Sequence, residues 1–469
     1  MLHPIDYVLI GLYLVVLVTL GLVRRLKNDA SAGELILGGR ILTLPAFVAS
    51  LVSTWYGGIL GVGEFSYRFG LANWLVFGLP YYLAAFLFAV FLARKARESE
   101  VLTIPDRLAG AYGNKTAVVG SAIIYLMTVP AAYVLMLGVL CEQLFGWPYW
   151  MGIAVGSLFS MGYVYVGGFS SVVRTDLFQF ALMFLGFIVL FIMVVSEYGG
   201  LHFLETSLPA ENLTWNGGNS SWYIATWYVI ALATLIEPAF YQRCYAAKNA
   251  RVARNGIFVS IACWAVFDFL TTSCGLYARA ILPNLADPVS SYPALAMKVL
   301  PVGLIGLFAL ALLATIMSTI DSYSFLAAST FGNDIMQRAF RAGPREVTMW
   351  TRFGLVVSAL LAVVLAIFFR SVVEIWYVFG SIGTPALLAP VFLAFVWKRR
   401  LPPAYAMVSI STSGLVSGVW FLSQYWTSDG SYWLSLPPIF PGLIYSLIVL
   451  VLFLLAGRER LPTARNMLY

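Results

Sequence analysis

Apolar residues run along this chain in long blocks separated by short polar stretches, and about thirteen of the blocks reach the length a helix needs to cross about 30 Å of hydrocarbon. The expected spans are 5–23, 44–69, 72–93, 117–145, 149–167, 171–197, 222–242, 256–281, 300–335, 347–369, 372–397, 403–425 and 438–457. Two of them are interrupted. The first carries Gly57, Gly58, Gly61 and Gly63 in its middle, within STWYGGILGVGEFS. Glycines there either let the helix open and expose backbone carbonyls or let a neighbouring helix pack closely, and open backbone at that depth is tolerated only where it lines a cavity. The other, 222–242, carries Glu237–Pro238, where proline removes a helix hydrogen bond and a carboxylate in low dielectric needs a partner or a proton. A kink is expected at Pro130 as well.

Each interrupted span opens a set of five, 44–197 and 222–397, with one span before them and two after. Paired interrupted helices in two halves are the mark of an inverted-repeat secondary transporter with its site near the midplane. The expectation is an all-α membrane protein with a single transmembrane domain over 1–469.

A third polar pattern lies in Ala311–Thr330, ALLATIMSTIDSYSFLAAST. On a helix, Thr315, Ser318, Thr319 and Ser322 fall at i, i+3, i+4 and i+7 on one face, with Asp321 beside them. Hydroxyls in membrane helices commonly return a hydrogen bond to the preceding turn; four on one face beside an acid point to a hard cation such as Na⁺. Asp176, just after Arg174 at the start of a span, reads alone as a helix-dipole partner.

Composition agrees: 61% of the 469 residues are hydrophobic and 10% charged. With the N-terminus outside and the C-terminus in the cytoplasm, all but four of the 28 Lys and Arg residues fall on inner loops; the exceptions are Arg68, Arg279, Lys298 and Arg370. The net charge of +7 is then a topology signal and no nucleic-acid footprint. No nucleophile, base and orienting group converge, so an enzyme is not expected, and neither a disulfide nor a transition-metal site is read from the four cysteines and two histidines. The expected setting is the plasma membrane, a bacterial inner membrane, with the lipid bilayer, a small solute and Na⁺ as partners.

Four stretches together resemble the sodium:solute symporters, carriers of sugars, proline, pantothenate, sialic acid and choline: GGFSSVVRTDLFQF at 167–180, FYQRCYAAKNARVARNG at 240–256, ATIMSTIDSYSFLAASTFGNDI at 314–335 and GSIGTPALLAPVFLAFVWKRR at 380–400. The resemblance covers nearly the whole chain. It implies a LeuT-type five-plus-five inverted-repeat core with one N-terminal and two C-terminal extra helices. It implies Na⁺ as coupling ion, on backbone oxygens of Ser53 and Tyr56, the carbonyl of Thr315 and the hydroxyls of Ser318 and Thr319. A second cation is implied at Asp176, Asp321 and Ser322. STWYGGILG resembles the choline carriers, although Glu237 departs from them.

The membrane interior reads as Glu64, Asp176, Glu237, Asp268 and Asp321 with no buried Lys or Arg to balance them. The expected solute is therefore a small amine or quaternary ammonium compound held by cation–π attraction and spare carboxylates, with Trp55, Tyr56, Ile59, Leu60, Glu237, Trp264 and Asp268 as candidate contacts. The alternatives are a monocarboxylate or other organic anion on the same fold, or a transporter-like membrane sensor.

Overall fold

Helices dominate this computed structural model, which describes residues 2–23, 31–340, 343–369, 372–397 and 401–458. Among them the β structure is one isolated parallel bridge, Leu42 to Ala247. Arg24, Arg25, Lys27, Arg341, Arg370, Lys398, Arg399, Arg400, Arg460 and Arg465, part of the charge pattern that set the expected orientation, lie outside the described residues.

The order begins α1 (Pro4–Leu22), α2 (Ala32–Leu37), α3 (Leu44–Trp55), α4 (Ile59–Phe69), α5 (Leu79–Phe88), α6 (Arg94–Glu98), α7 (Ile104–Tyr112), α8 (Asn114–Thr128), α9 (Ala131–Phe145) and α10 (Tyr149–Tyr198). It continues α11 (Leu201–Ser207), α12 (Ser221–Ile230), α13 (Pro238–Ala246), α14 (Ala250–Ile281), α15 (Ser291–Val299) and α16 (Leu304–Ser329). The last are α17 (Gln337–Ala339), α18 (Pro344–Phe368), α19 (Val372–Val396), α20 (Pro403–Leu422) and α21 (Ile439–Arg458).

Among the described residues, 12 helical stretches are long and apolar enough to cross a membrane. One, α10, would measure about 75 Å if straight, more than twice the hydrocarbon core. Gly168 divides it: at φ 57°, ψ −152° it takes a backbone setting that favours glycine, giving 149–167 and 169–198 and so the expected thirteen segments.

The predicted interruptions are present. A tight turn at Tyr56–Gly58 joins α3 to α4. At the second break, α12 narrows into a turn over Ala231–Ile236, Glu237 becomes extended, and Pro238 opens α13 with a missing N–H that no helix bond needs. Pro130 separates α8 from α9.

The packing explains why glycine stands at the first break. A Cβ on Gly57 would overlap the Thr319 side chain, and one on Gly58 the ring of Trp376. The turn is thereby pressed directly onto α16, in which every residue from Phe308 to Ser329 is buried. Asp6 of α1 holds the start of α16, accepting from the backbone N–H groups of Gly303 and Gly306 at 2.9 Å each. The two interrupted helices are also tied to each other: Leu42 N donates to Ala246 O at 3.0 Å and Lys248 N to Leu42 O at 2.9 Å.

Candidate ion and solute site

The hydroxyl face of α16 meets the first break. Thr319 Oγ1 donates to the Thr54 carbonyl at 2.8 Å and lies within 3.4 Å of the Ser53 carbonyl. Ser318 Oγ lies 2.9 Å from Ser53 Oγ and donates to Asp176 at 2.6 Å. The Thr315 hydroxyl turns back to Ala311 O at 2.7 Å, which leaves its carbonyl, 3.3 Å from Thr319 Oγ1, as the oxygen on this face. Tyr56 sends its hydroxyl to Asp268 and to the Trp264 carbonyl, so its backbone is what borders the break. All five residues expected around Na⁺ thus gather where α3 ends against α16. The donors are neutral, hard oxygens, and by chemistry they suit a small monovalent cation.

The residues expected to form a second cation site divide into two groups. Asp321 accepts hydrogen bonds from Ser160 and Tyr163 of α10. Asp176 accepts from Ser50 and Ser318, both at 2.6 Å, and Ser322 shares a 2.8 Å hydrogen bond with Thr54. Neighbouring residues point about 100° apart around a helix, so when Ser322 faces α3 its neighbour Asp321 faces the flank along α10.

The expectation of no buried cation is overturned. Arg243, one residue beyond the expected end of its span, is fully buried on α13, with Nη2 3.6 Å from Asp176 Oδ2. The sequence reading put it on an inner loop because the apolar run stops there; in the fold, α13 passes beneath the break and carries Arg243 into the protein. Ser50, Thr54 and Arg243 are site residues that the sequence reading left out. A signal existed for two of them: Ser50, Ser53 and Thr54 repeat on α3 the i, i+3, i+4 spacing recognised on α16.

Beside the ion face, between the two breaks, lies a cavity of about 420 Å³. Of the expected solute contacts, Trp55, Tyr56, Glu237 and Asp268 line it. Glu237 accepts from the Tyr323 hydroxyl at 3.0 Å and from Ala239 N at 3.4 Å, capping α13 with its own side chain. Asp268 accepts from the hydroxyls of Tyr56 and Tyr82. Trp55 is held edge-on by Tyr81 and Phe240, with ring centroids 5.6 Å and 5.4 Å away.

Ile59, Leu60 and Trp264 do not line this space. Ile59 and Leu60 are fully buried because α4 turns Gly61, Val62 and Phe65 to the cavity instead. Trp264 stands behind Trp55, 5.6 Å between centroids, and acts on the cavity by holding that ring and, through its carbonyl, the Tyr56 hydroxyl. Tyr323, Tyr133 and Trp376 are lining residues that the candidate set omitted. The cavity reaches the surface past Glu64 and half-exposed Arg68, paired at 3.1 Å near the end of α4. Outside the cavity lining, Arg338 pairs with Asp106, and Thr103 donates to Asp334 at 2.7 Å.

Comparison with known proteins places this geometry in a family. The family model described as "SSF: Sodium:solute symporter family" matches residues 35–409. A sodium/pantothenate symporter of Haemophilus influenzae is 25% identical, with 94% of this chain and 93% of the relative covered. A sodium/proline symporter of Staphylococcus aureus is 26% identical, covering 95% and 91%. Among solved structures, a Na⁺-coupled sialic acid symporter in a substrate-bound outward-open state superposes with a TM-score of 0.81 at 18% identity, over 98% of this chain and 99% of that one. A nucleobase-cation-symport-1 family transporter in a closed conformation gives 0.58 at 12% identity, over 88% and 92%, so the LeuT-type fold is shared across these distant sequences. With a family model spanning most of its length and the interrupted helices that such a carrier needs, the chain belongs to the sodium:solute symporter family.

Proposed function

We propose that this protein carries a small amine-bearing or quaternary ammonium solute into the cell, with its N-terminus outside the plasma membrane. By family it is a Na⁺-coupled solute symporter. The relatives are named for different solutes, pantothenate and proline, and so do not choose among solute classes.

The observation that carries the reading is the charge of the cavity. Two carboxylates, Glu237 and Asp268, stand in it beside the rings of Trp55 and Trp376, a lining suited to cation–π and charge-assisted contacts. Among the described lining residues the cationic one is Arg68, and Glu64 already pairs with it. An anion would otherwise seek a helix N-terminus, yet that of α13 is capped by Glu237 itself. These features favour a positive group over a carboxylate as the part of the solute that is recognised.

Na⁺ on Ser53, Tyr56, Thr315, Ser318 and Thr319 bridges the first broken helix to α16. Trp55 and Tyr56 lie two and three residues beyond Ser53 and line the cavity, so an ion that steadies the turn also steadies the solute contacts. Ion and solute then raise each other's affinity by the same factor. The cavity mouth at Arg68 fits an outward-facing state under the proposed orientation.

The test is uptake by proteoliposomes under an inward Na⁺ gradient, with labelled amines, quaternary ammonium compounds, monocarboxylates and sugars offered in turn. Uptake confined to the first two classes, and weakened by Glu237→Gln, is the expected result. Uptake confined to carboxylates or sugars refutes the solute class and leaves the Na⁺ site standing.

A further inference from the structure

We infer that Arg243 serves as a tethered cation that fills the place a second Na⁺ would take beside Asp176, so that each chain binds one Na⁺. This rests on the Na⁺ site proposed above. Its observation is the set of oxygens around one fully buried guanidinium.

Arg243 Nε and Nη2 donate to Ser50 Oγ at 3.2 Å and 3.1 Å, and Nη2 also reaches Thr54 Oγ1 at 2.9 Å and Ser322 Oγ at 2.6 Å. Asp176 Oδ2 lies 3.6 Å away, and Nη1 donates to Gln242 Oε1 at 3.1 Å. Hydroxyls from α3 and α16 and a carboxylate from α10 are the ligand types a second small cation beside Asp176 would need, and the guanidinium engages them all. Its charge also offsets that of Asp176. A buried carboxylate must be neutralised by a proton, an ion or a fixed cation; here the fixed cation is built into the chain. The plane of the group rests 5.4 Å over the Phe169 ring, next to Gly168, which holds it in position from below.

A second Na⁺ would have to enter beside a like charge and strip hydroxyls from their N–H donors. The first Na⁺ meets no such obstacle, because the hydrogen bonds of Arg243 go to Ser50, Thr54, Gln242 and Ser322 and not to Ser53, Thr315, Ser318 or Thr319. Ser318 joins the two regions: its hydroxyl touches both Asp176 and Ser53. Arg243 therefore fixes how many ions bind, and through Asp176 it orients a ligand of the ion that does.

Equilibrium binding of radioactive Na⁺ alone to the purified full-length protein tests this without any knowledge of the solute. The unmodified protein should bind one Na⁺ per chain with a Hill coefficient near one. Arg243→Lys, which keeps a charge, should do the same. Arg243→Gln should bind twice as much, and free guanidinium, or Asp176→Asn in the same chain, should return the count to one. A merely structural arginine would not raise ion binding when removed. Two Na⁺ in the unmodified protein overturn this inference alone, even if no variant folds, as does a monodisperse Arg243→Gln that still binds one. No Na⁺ bound at all overturns both this inference and the site on which it rests.

Discussion

Replacing Gly57 by alanine adds a single methyl group at the place where the first break touches α16. That methyl would lie closer to the Cβ, Oγ1 and Cγ2 atoms of Thr319 than Cβ atoms come to their neighbours, so one side must move. Whether the turn lifts or Thr319 rotates, the 2.8 Å bond from Thr319 Oγ1 to the Thr54 carbonyl is lost, and the Thr319 hydroxyl parts from the neighbouring Ser53 carbonyl, its fellow proposed Na⁺ ligand. Overpacking of this kind costs about 1–3 kcal/mol. If that strain falls on the ion-bound arrangement, at about 1.4 kcal/mol per factor of ten the Na⁺ half-saturation rises about 5- to 150-fold. Gly61→Ala, one turn further along in α4, is the control, because its nearest new neighbour is the Trp376 ring at 3.9 Å, an ordinary contact. The assay is the melting temperature of detergent-purified protein titrated with Na⁺ at constant ionic strength, since a ligand selective for the native state adds RT ln(1 + [L]/Kd). An unchanged midpoint in Gly57→Ala, or an equal change in Gly61→Ala, would refute the placement of Na⁺ between these two elements.

Replacing Na⁺ by K⁺ should lower the melting temperature of the unmodified protein, because the oxygen set is hard and closely spaced; identical melting in the two salts counts against Na⁺ selectivity. Ser318→Ala should raise the Na⁺ half-saturation roughly 10- to 150-fold, since it removes a bond to a carboxylate worth about 1.5–3 kcal/mol. Thr319→Ala should raise it less, about 2- to 12-fold, because its partners at the first break are neutral carbonyls; the reverse ranking would misplace Asp176. Asp176→Asn should destabilise the protein by about 3–5 kcal/mol in chemical unfolding by leaving the Arg243 guanidinium buried without its carboxylate, and adding Arg243→Gln should restore part of the loss. Trp55→Ala should weaken solute competition in uptake by about 0.5–2 kcal/mol, several-fold to about thirtyfold, while leaving Na⁺-dependent melting in place.

What could be foreseen from the chain alone was local. Apolar length marks a span wherever it occurs, because burying twenty side chains in hydrocarbon depends on those residues and not on their neighbours in space. Glycines at 57 and 58 and the Glu237–Pro238 pair weaken a helix by their own covalent structure, and both breaks are where they were expected. The hydroxyl ladder of α16 was legible for the same reason, since residues at i, i+3, i+4 and i+7 share a face in any helix.

Which partner that face meets, and which neighbour of a named residue turns toward the cavity, were matters for the fold. Ile59 and Leu60 follow Tyr56 closely in the chain yet point into the core, because a rotation of about 100° per residue around α4 separates them from Gly61 and Val62. Asp321 was separated from Ser322 by the same rotation. Arg243 is the clearest case: it stands 193 residues beyond Ser50, at the end of an apolar run where charge statistics assign it to an inner loop. Only the docking of α13 against α3, α10 and α16 makes it a buried counter-charge to Asp176. Hydropathy and helix breaking are costs each residue carries wherever it lies, so the sequence determines the spans and their interruptions; charge compensation is a property of pairs, and the pairs exist only once distant helices are packed together.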